Sequence, residues 1–391
     1  MDTLPTLTSH RILDDTMSVL QTHIPLQATG YRCQSADLWR VLVAATAQHH
    51  SIEAACADLD AAPHPNTIRR YLADQWQPAQ LRTLEQQCNA AIHAALPTWL
   101  RDTPHEVAID THDIPFYGHV ADTPAADWVC GGKTKASTNQ HYRCATASVL
   151  TRAARVTLAV VFVQPGATMG DIVDQLLTAI QVCGITIRCL YADKGFCSVA
   201  VLQRLQRDAI PAVIAMPRRG PQLRALCTGQ ESHWASHTLQ SAADGAVTVK
   251  VAVVRTYPRT RQPRRQATWC LFVCMGIRDS LIGVRQRYRT RFGIESTYRQ
   301  LEQLRIRTTS PNPALRLMVV GIALVLLNVW VWAQWHYLRK PGRGPRRVDQ
   351  AVFQLRRFQT FLLAAVTAIY GQRIHIDLPA YRPAPLAHAK W

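Results

Sequence analysis

The sequence has few acidic residues for its length of 391. It contains 26 Asp and Glu against 44 Lys and Arg, so its formal net charge is +18. A surplus of this size says little about the fold, but it favours a polyanionic partner. Nucleic acid is the first candidate, and an anionic membrane surface is the second.

Features typical of secreted proteins and of structural zinc sites are also lacking. The 11 Cys include no C-x-x-C pair, and Cys270 and Cys274 come nearest to one. We therefore expect buried thiols in a reducing compartment, without a disulfide framework. The first residues, MDTLPTLTSHRILDD, form no apolar signal segment. These features together predict a cytoplasmic protein.

One long apolar run is present. Leu317–Leu327 is broken only by Gly321, and NVWVWAQW follows it. The run is nearly long enough to span a membrane, and its Trp residues lie at one end as in an interfacial belt. Asn328 interrupts it, however, and the sequence contains no second such run. We therefore favour a buried core helix and no membrane, with a membrane-anchored protein as the alternative.

Residues from about 35 to 95 show helical patterns. The segment SIEAACADLDAAPHPNTIRRYL resembles a helix–turn–helix, with Ser51 and Asn66 as predicted N-caps. Arg69 and Arg70 would then point outward, as in a helix that reads a DNA groove. Because any small helical bundle gives a similar pattern, a plain scaffold remains open. We predict an N-terminal helical DNA-binding domain over residues 1–100.

From residue 105 the pattern changes to strands that later alternate with helices. Apolar strand segments are EVAID, HYRCATASVL, ARVTLAVVFV, TIRCLYAD and PAVIAM, and helices are predicted after Thr168 and after Ser198. This order predicts a mixed α/β sheet. Residues from about 217 to 280 are β-rich and contain the basic loop PRTRQPRRQ. Helical patterns return from 281 to 337, and a basic linker with a helical tail occupies 337–391.

Two acidic residues end apolar strands. Asp110 ends EVAID and Asp193 ends TIRCLYAD. Ligands of α/β sheets bind at that edge, and a buried unpaired carboxylate is costly. Two neighbouring carboxylates would repel each other unless a cation lay between them, and Mg²⁺ or Mn²⁺ suits such hard oxygen ligands. Two ordinary strand-end turns are the simpler interpretation of each Asp taken alone.

A polar stripe follows in IGVRQRYRTRFGIESTYRQLEQLR. If this segment is one helix, Tyr288, Arg291, Glu295 and Glu302 share one face, because they stand at offsets of 0, 3, 7 and 14 residues. A core helix would carry apolar residues there. A phenol, a guanidinium and two carboxylates suit a metal site that contacts phosphate, with Arg291 on a phosphate oxygen.

These residues resemble the acidic triad of DDE transposases of prokaryotic insertion sequences. The IS-four-like group has Tyr, two residues, Arg, three residues, Glu, six residues and Lys, and Tyr288, Arg291 and Glu295 match it. Glu302 stands in place of the Lys, which leaves one phosphate contact for Arg299 or Arg305 to supply. DTHDIPFYG and GGKTKASTNQHYRCAT also resemble the family.

The resemblance implies an RNase H-like catalytic domain over about 105–336, with a β-rich insertion at about 217–280. Asp110, Asp193 and Glu295 would hold two Mg²⁺ or Mn²⁺ ions. The reaction implied is phosphoryl transfer that cuts and joins DNA at terminal inverted repeats and in a target. The expected partner is double-stranded DNA, bound by a homodimer in the nucleoid. Contacts to DNA are expected from Tyr288, Arg291, Arg299, Lys133, Lys135, Arg69 and Arg70.

Several alternatives stay open at this point. Asp113 lies three residues after Asp110, but Asp110 ends the apolar run and is preferred. His112 is interpreted as a turn residue, and the pair His233 and His237 as a chance zinc spacing. The rival functions are a sequence-specific DNA-binding regulator, a transposase that binds its ends without cutting, and a membrane-associated protein.

Overall fold

The N-terminal part of the chain is built from helices. The computed structural model describes residues 6–120, 126–151, 154–257, 267–340 and 347–375. Its first elements are α1 (Ser9–His23), β1 (Thr29–Gly30), β2 (Cys33–Gln34), α2 (Ser35–Gln48), α3 (Ile52–Ala57), α4 (Pro65–Gln75) and α5 (Leu81–Ala94). Ser51 caps α3, as predicted. The prediction that Asn66 caps α4 was wrong: His64 is the N-cap, because Pro65 is suited to the first helical position.

The strands that follow form one large mixed sheet. They are β3 (His105–Pro115), β4 (Val129–Lys135), β5 (Thr138–Leu150), β6 (Arg155–Val163), β7 (Ile187–Ala192), β8 (Ala212–Met216), β9 (His233–Ser241), β10 (Gly245–Thr256) and β11 (Thr268–Met275). Within the described residues, all nine join in the order β4-β5-β3-β7-β8-β11-β10-β9, with β6 also paired to β5. β3, β7 and β8 are parallel to one another, and the other pairs are antiparallel. The prediction of a mixed α/β sheet is confirmed.

Helices cover both faces of this sheet. They are α6 (Met169–Val182), α7 (Val199–Arg207), α8 (Pro221–Ala225), α9 (Leu281–Tyr288), α10 (Gly293–Leu304), α11 (Pro313–Tyr337) and α12 (Leu355–Tyr370), and a hairpin of β12 (Arg339–Lys340) and β13 (Arg347–Val348) separates the last two. Thr168 caps α6 and Gly184 follows its end with φ of +71°, as the sequence predicts. α6 and α7 pack on one face, and α9 and α10 pack on the other.

The β-rich segment from 217 to 280 extends the sheet. β9, β10 and β11 continue beyond β8, so this segment adds strands to one edge of the sheet. Its basic loop, Arg259–Arg265, lies outside the described residues. His233 and His237 lie on β9, and four residues along a strand span roughly 13 Å, which is too far for two ligands of one zinc ion.

The segment from 281 to 304 does not form the single helix that would place Tyr288, Arg291 and Glu295 on one face. A 3-10 turn over Arg289–Phe292 separates α9 from α10. Tyr288 and Phe292 keep right-handed helical dihedrals at its two ends, so the chain continues in nearly the same direction. The tighter turn rotates Tyr288 and Arg291 relative to the face that an unbroken helix would give.

The long apolar helix α11 lies inside the protein. Among the described residues it is the one helix long and apolar enough to cross a membrane, and 83% of its apolar window is buried in the fold. The N-terminal helices, α12 and the β5–β6 side of the sheet pack around it in one cluster. Asn328, which interrupts the apolar run, is fully buried and hydrogen-bonds the backbone of Thr157 on β6 and of Ile92 on α5.

Side chains of α5 occupy the outer edge of β6. Glu85 accepts from the backbone N–H of Phe162, and Arg82 donates to the carbonyl of the same residue. Asn89 makes both a donor and an acceptor bond to Val160. One turn later, His93 bonds to the carbonyl of Leu158. The helix thus satisfies backbone groups that a neighbouring strand would otherwise pair.

Candidate functional site

Two parallel strands bring Asp110 and Asp193 together. In the β3–β7 register, Ile109 is the partner of Ala192. Asp110 is the next residue of β3, and Asp193 directly follows β7. The two residues therefore occupy neighbouring positions on backbones about 5 Å apart. Ile109 and Ala192 point into the core beneath α6 and α7. Because successive residues alternate between faces, both carboxylates point to the opposite face.

The carboxylate of Asp110 is largely buried and already engaged. Its Oδ2 pairs with the Arg291 guanidinium at 2.8 Å, and its Oδ1 accepts from the Thr111 N–H at 2.9 Å. Burial raises the pKa of Asp110 above its ordinary value and Asp193 adds to the rise, while Arg291 opposes it. Asp193 remains half-buried, and its Oδ1 accepts from the Gly195 N–H at 2.7 Å.

Helix α10 is fixed to this part of β3. The Tyr298 hydroxyl donates to the Asp110 carbonyl at 3.1 Å and lies 2.9 Å from the Thr146 hydroxyl. The Tyr298 ring stacks on the His112 imidazole with centroids 4.8 Å apart. Glu295 stands four residues after Arg291 and three before Tyr298, both of which contact Asp110. It therefore belongs to the part of α10 nearest the two Asp residues.

Glu295 is exposed and has no hydrogen bond or ion pair among the described residues. No group of three His, Cys, Asp or Glu side chains in the described part of the chain is gathered closely enough to hold a metal ion. Asp110 and Asp193 alone still fit one divalent cation, because they offer hard oxygens and their charges repel. Mg²⁺ is commonly bound through one or two carboxylates, and keeps waters and substrate phosphate as its other ligands.

Asp113 lies on the other face of β3. Its carboxylate is paired with Arg143 at 2.6 Å and with Lys135 at 2.8 Å. Burial acts to raise the pKa of Asp113, but these two cations lower it below its usual range. The structure therefore places Asp113 in an ion cluster away from Asp110. Lys135 is exposed but paired in that cluster. Lys133 is also exposed.

A match to a known family covers most of this sheet and both carboxylates. Residues 102–327 match the family described as the transposase DDE domain. The chain belongs to the transposase DDE domain family. The large mixed sheet is consistent with an RNase H-like transposase domain, and the family supports a transposase function and a nuclease-type enzyme. No protein of curated function matches the chain.

Glu302, which stands where the resembling signature has a Lys, is bound within the protein. Its carboxylate bonds to the Arg305 guanidinium at 2.8 Å and to His112 Nε2 at 3.2 Å. Burial acts to raise the pKa of Glu302, but these hydrogen bonds lower it to about 2. Arg305 is thereby neutralised locally, whereas Arg299 is exposed. Sequence reasoning missed the Glu302–His112 contact, since its partners lie 190 residues apart.

A basic and aromatic cavity of about 810 Å³ opens beside the two Asp residues of this transposase domain. The described residues that line it include no acid. The cations are Lys194, Arg218, Arg219, Arg285 and Arg289, and the aromatic residues are Tyr257, Trp269, Phe272, Tyr288 and Phe292. Cations beside aromatic rings suit a nucleic-acid strand, whose phosphates and bases they bind. Burial raises the pKa of Tyr288 to about 12, so its hydroxyl stays protonated.

The predicted recognition helix, α4, carries one arginine that is paired with an acid and one that, among the described residues, is not. Arg69 is paired with Glu53 on α3 and hydrogen-bonds Asn66. Arg70 is exposed, and its guanidinium lies 5.6 Å from the centroid of the Tyr71 ring. Of these two residues in the transposase's N-terminal helices, Arg69 is therefore the one already held by an acid.

Proposed function

We propose that the protein is a metal-dependent transposase that cuts and joins DNA at the terminal inverted repeats of an insertion sequence. The observation that carries the proposal is the placement of Asp110 and Asp193 side by side in a DDE transposase domain, with Asp110 within β3 and Asp193 directly after the end of the parallel strand β7. The resemblance of Tyr288, Arg291 and Glu295 to the signature supports the proposal that the protein belongs to the IS-four-like group.

In this proposal Asp110, Asp193 and Glu295 hold Mg²⁺ or Mn²⁺, with Glu295 approaching the other two when DNA is bound. Bound metal would supply Lewis-acid polarisation of the phosphate and a nucleophilic water at neutral pH. The two Asp carboxylates would hold the cations beside the scissile phosphate. Arg291 and Arg299 would neutralise phosphate charge. Water would cut at the element's end to free a 3′-OH, and that 3′-OH would attack a target phosphodiester in line, with the target's own 3′ oxygen leaving as the old P–O bond breaks.

The lining of the cavity supports double-stranded DNA ends as the substrate. The described lining holds five cations and no acid, so it would attract the DNA backbone, and its aromatic rings would stack on bases left unpaired at such ends. We further propose that α3 and α4 act in DNA recognition, together with Lys133 and Lys135. Two ends must be joined, so the active species would be a homodimer on DNA, located in the cytoplasm at the nucleoid.

Two observations favour a second function. Glu295 is exposed and is not gathered with Asp110 and Asp193 into a group of three carboxylates among the described residues, and Glu302 stands where the signature has a Lys. A protein that binds the terminal repeats without cutting them would tolerate both features. Such a protein would act as a regulatory, sequence-specific DNA-binding protein.

A matched pair of variants separates the two functions. Asp110→Asn should abolish metal-dependent cleavage of a terminal-repeat duplex and keep binding in gel shifts, because binding rests on Lys and Arg contacts. Asp113→Asn, on the same strand but the opposite face, should keep cleavage once thermal melting shows that it is folded. Loss of binding together with cleavage in Asp110→Asn would make Asp110 structural. A wild-type protein that binds the repeat and never cuts it would support the regulatory function.

A further inference from the structure

Arg291 pairs with the Asp110 carboxylate, which a metal ion would also need as a ligand. Its guanidinium lies 2.8 Å from Asp110 Oδ2, while the Thr111 N–H takes Oδ1. Both oxygens of Asp110 are therefore hydrogen-bonded within the protein. A guanidinium beside Asp110 and Asp193 also reduces the repulsion between the two carboxylates that a divalent cation would otherwise relieve.

The position of Arg291 is incompletely satisfied. The residue is only 7% exposed, yet its Nε–H has no hydrogen-bond partner among the described residues. A buried donor without a partner destabilises the arrangement that contains it. A phosphate group accepts two parallel N–H bonds from one guanidinium, which a single Oδ of Asp110 cannot do. A DNA phosphate that enters the site would therefore be a better partner for Arg291 than Asp110 is.

We propose that Arg291 is a positioning residue that exchanges partners and thereby makes metal binding depend on DNA. In the free protein it holds Asp110 and competes with the metal. When DNA binds, Arg291 turns to a backbone phosphate and leaves the Asp110 carboxylate open. This inference rests on the proposed function, and it adds an order of events that the function alone does not require.

The exchange has a consequence that can be measured without any reaction. If DNA releases Asp110 from Arg291, DNA must raise the affinity for the metal, and the metal must raise the affinity for DNA by the same factor. Removing the guanidinium should open Asp110 permanently. The DNA-free protein would then bind the metal more tightly, and the addition of DNA would bring little further gain.

The test uses Mn²⁺ alone, with free Mn²⁺ quantified by electron paramagnetic resonance on the full chain. Arg291→Gln should bind Mn²⁺ at least roughly tenfold more tightly than wild type without DNA, which corresponds to about 1.4 kcal/mol. Arg299→Gln removes the same charge from the same helical segment, but Arg299 is exposed. It should change the affinity for Mn²⁺ less than about twofold, as expected for a screened surface charge.

A second measurement compares the affinity for Mn²⁺ with and without DNA. A short double-stranded oligonucleotide should raise the Mn²⁺ affinity of wild type about tenfold and should leave that of Arg291→Gln nearly unchanged. Equal or weaker Mn²⁺ binding by folded Arg291→Gln, or no effect of DNA on wild type, would overturn the exchange. If Asp110→Asn binds Mn²⁺ as wild type does, with and without DNA, the proposed metal site itself fails. If Arg291→Gln does not fold, the affinity of wild type for Mn²⁺ with and without DNA still tests the exchange.

Discussion

The substitution Asn328→Leu tests whether α11 is a core helix. Asn328 is fully buried and makes three hydrogen bonds. Its Oδ1 accepts from the Thr157 N–H at 3.0 Å, and its Nδ2 donates to the Thr157 carbonyl at 2.7 Å. Thr157 lies beside an irregularity in the β5–β6 pairing, so Asn328 supplies bonds there that the ladder does not.

The size of the effect follows from the groups left without partners. Leucine keeps the branched shape of asparagine but is larger, and it cannot bond to either Thr157 atom. Each buried backbone group that loses its partner costs about 1–3 kcal/mol, and the additional apolar surface of Leu returns roughly 1 kcal/mol. We therefore expect the free energy of unfolding to fall by about 3 kcal/mol.

The assay is urea unfolding followed by tryptophan fluorescence, and Asn89→Leu is the control. Asn89 makes the same bidentate bond to Val160, but it is only half-buried, so that water can replace it. A loss of about 1 kcal/mol is expected there. If α11 crossed a bilayer, removing its amide would favour insertion. An unfolding midpoint that is unchanged or raised in Asn328→Leu would therefore refute a core role for α11.

Two further predictions concern DNA binding. Arg70→Ala should lower the preference for the terminal repeat over random DNA roughly tenfold in gel-shift titrations, since a base contact contributes ~1–3 kcal/mol. Arg69→Ala should change the preference less, because Glu53 already pairs with Arg69. An equal loss of affinity on both DNAs would indicate phosphate contacts only. Glu302→Gln should free Arg305 for a phosphate and steepen the dependence of log K on log salt by about 0.9, measured by fluorescence anisotropy, and an unchanged slope would contradict this.

The parts of the site that sequence can predict are those fixed by strand period and strand ends. Asp110 and Asp193 each close an apolar run in the sequence, and Asp193 does directly follow the end of β7, whereas β3 continues beyond Asp110 to Pro115. The preference for Asp110 over Asp113 rests on the end of that apolar run, and the strand period separates the two residues, because three residues along a strand reverse the face. The structure puts Asp113 with Arg143 on that reverse face.

Other features depend on contacts that no local pattern contains. The Arg291–Asp110 pair joins residues 181 positions apart, and its geometry depends on a 3-10 turn that interrupts the predicted helix. The contact of Glu302 with His112 is equally remote. β4 was also missed, since its sequence VCGGKTK is glycine-rich and polar, and pairing with β5 outweighs that weak strand propensity.

The contacts between α5 and β6 also require the repeat of the helix to match the repeat of the strand. Glu85, Asn89 and His93 are spaced four residues apart, about 6 Å along a helix axis, while Phe162, Val160 and Leu158 are spaced two apart, about 6.6 Å along a strand. The two repeats nearly coincide, so the helix and the strand are held in one relative alignment. Inserting one residue into α5 would misalign every later bond, whereas adding four residues to the helix and two to the strand would preserve them. Natural variation in the length of this transposase should therefore be concentrated at the opposite edge, where β9 to β11 extend the sheet.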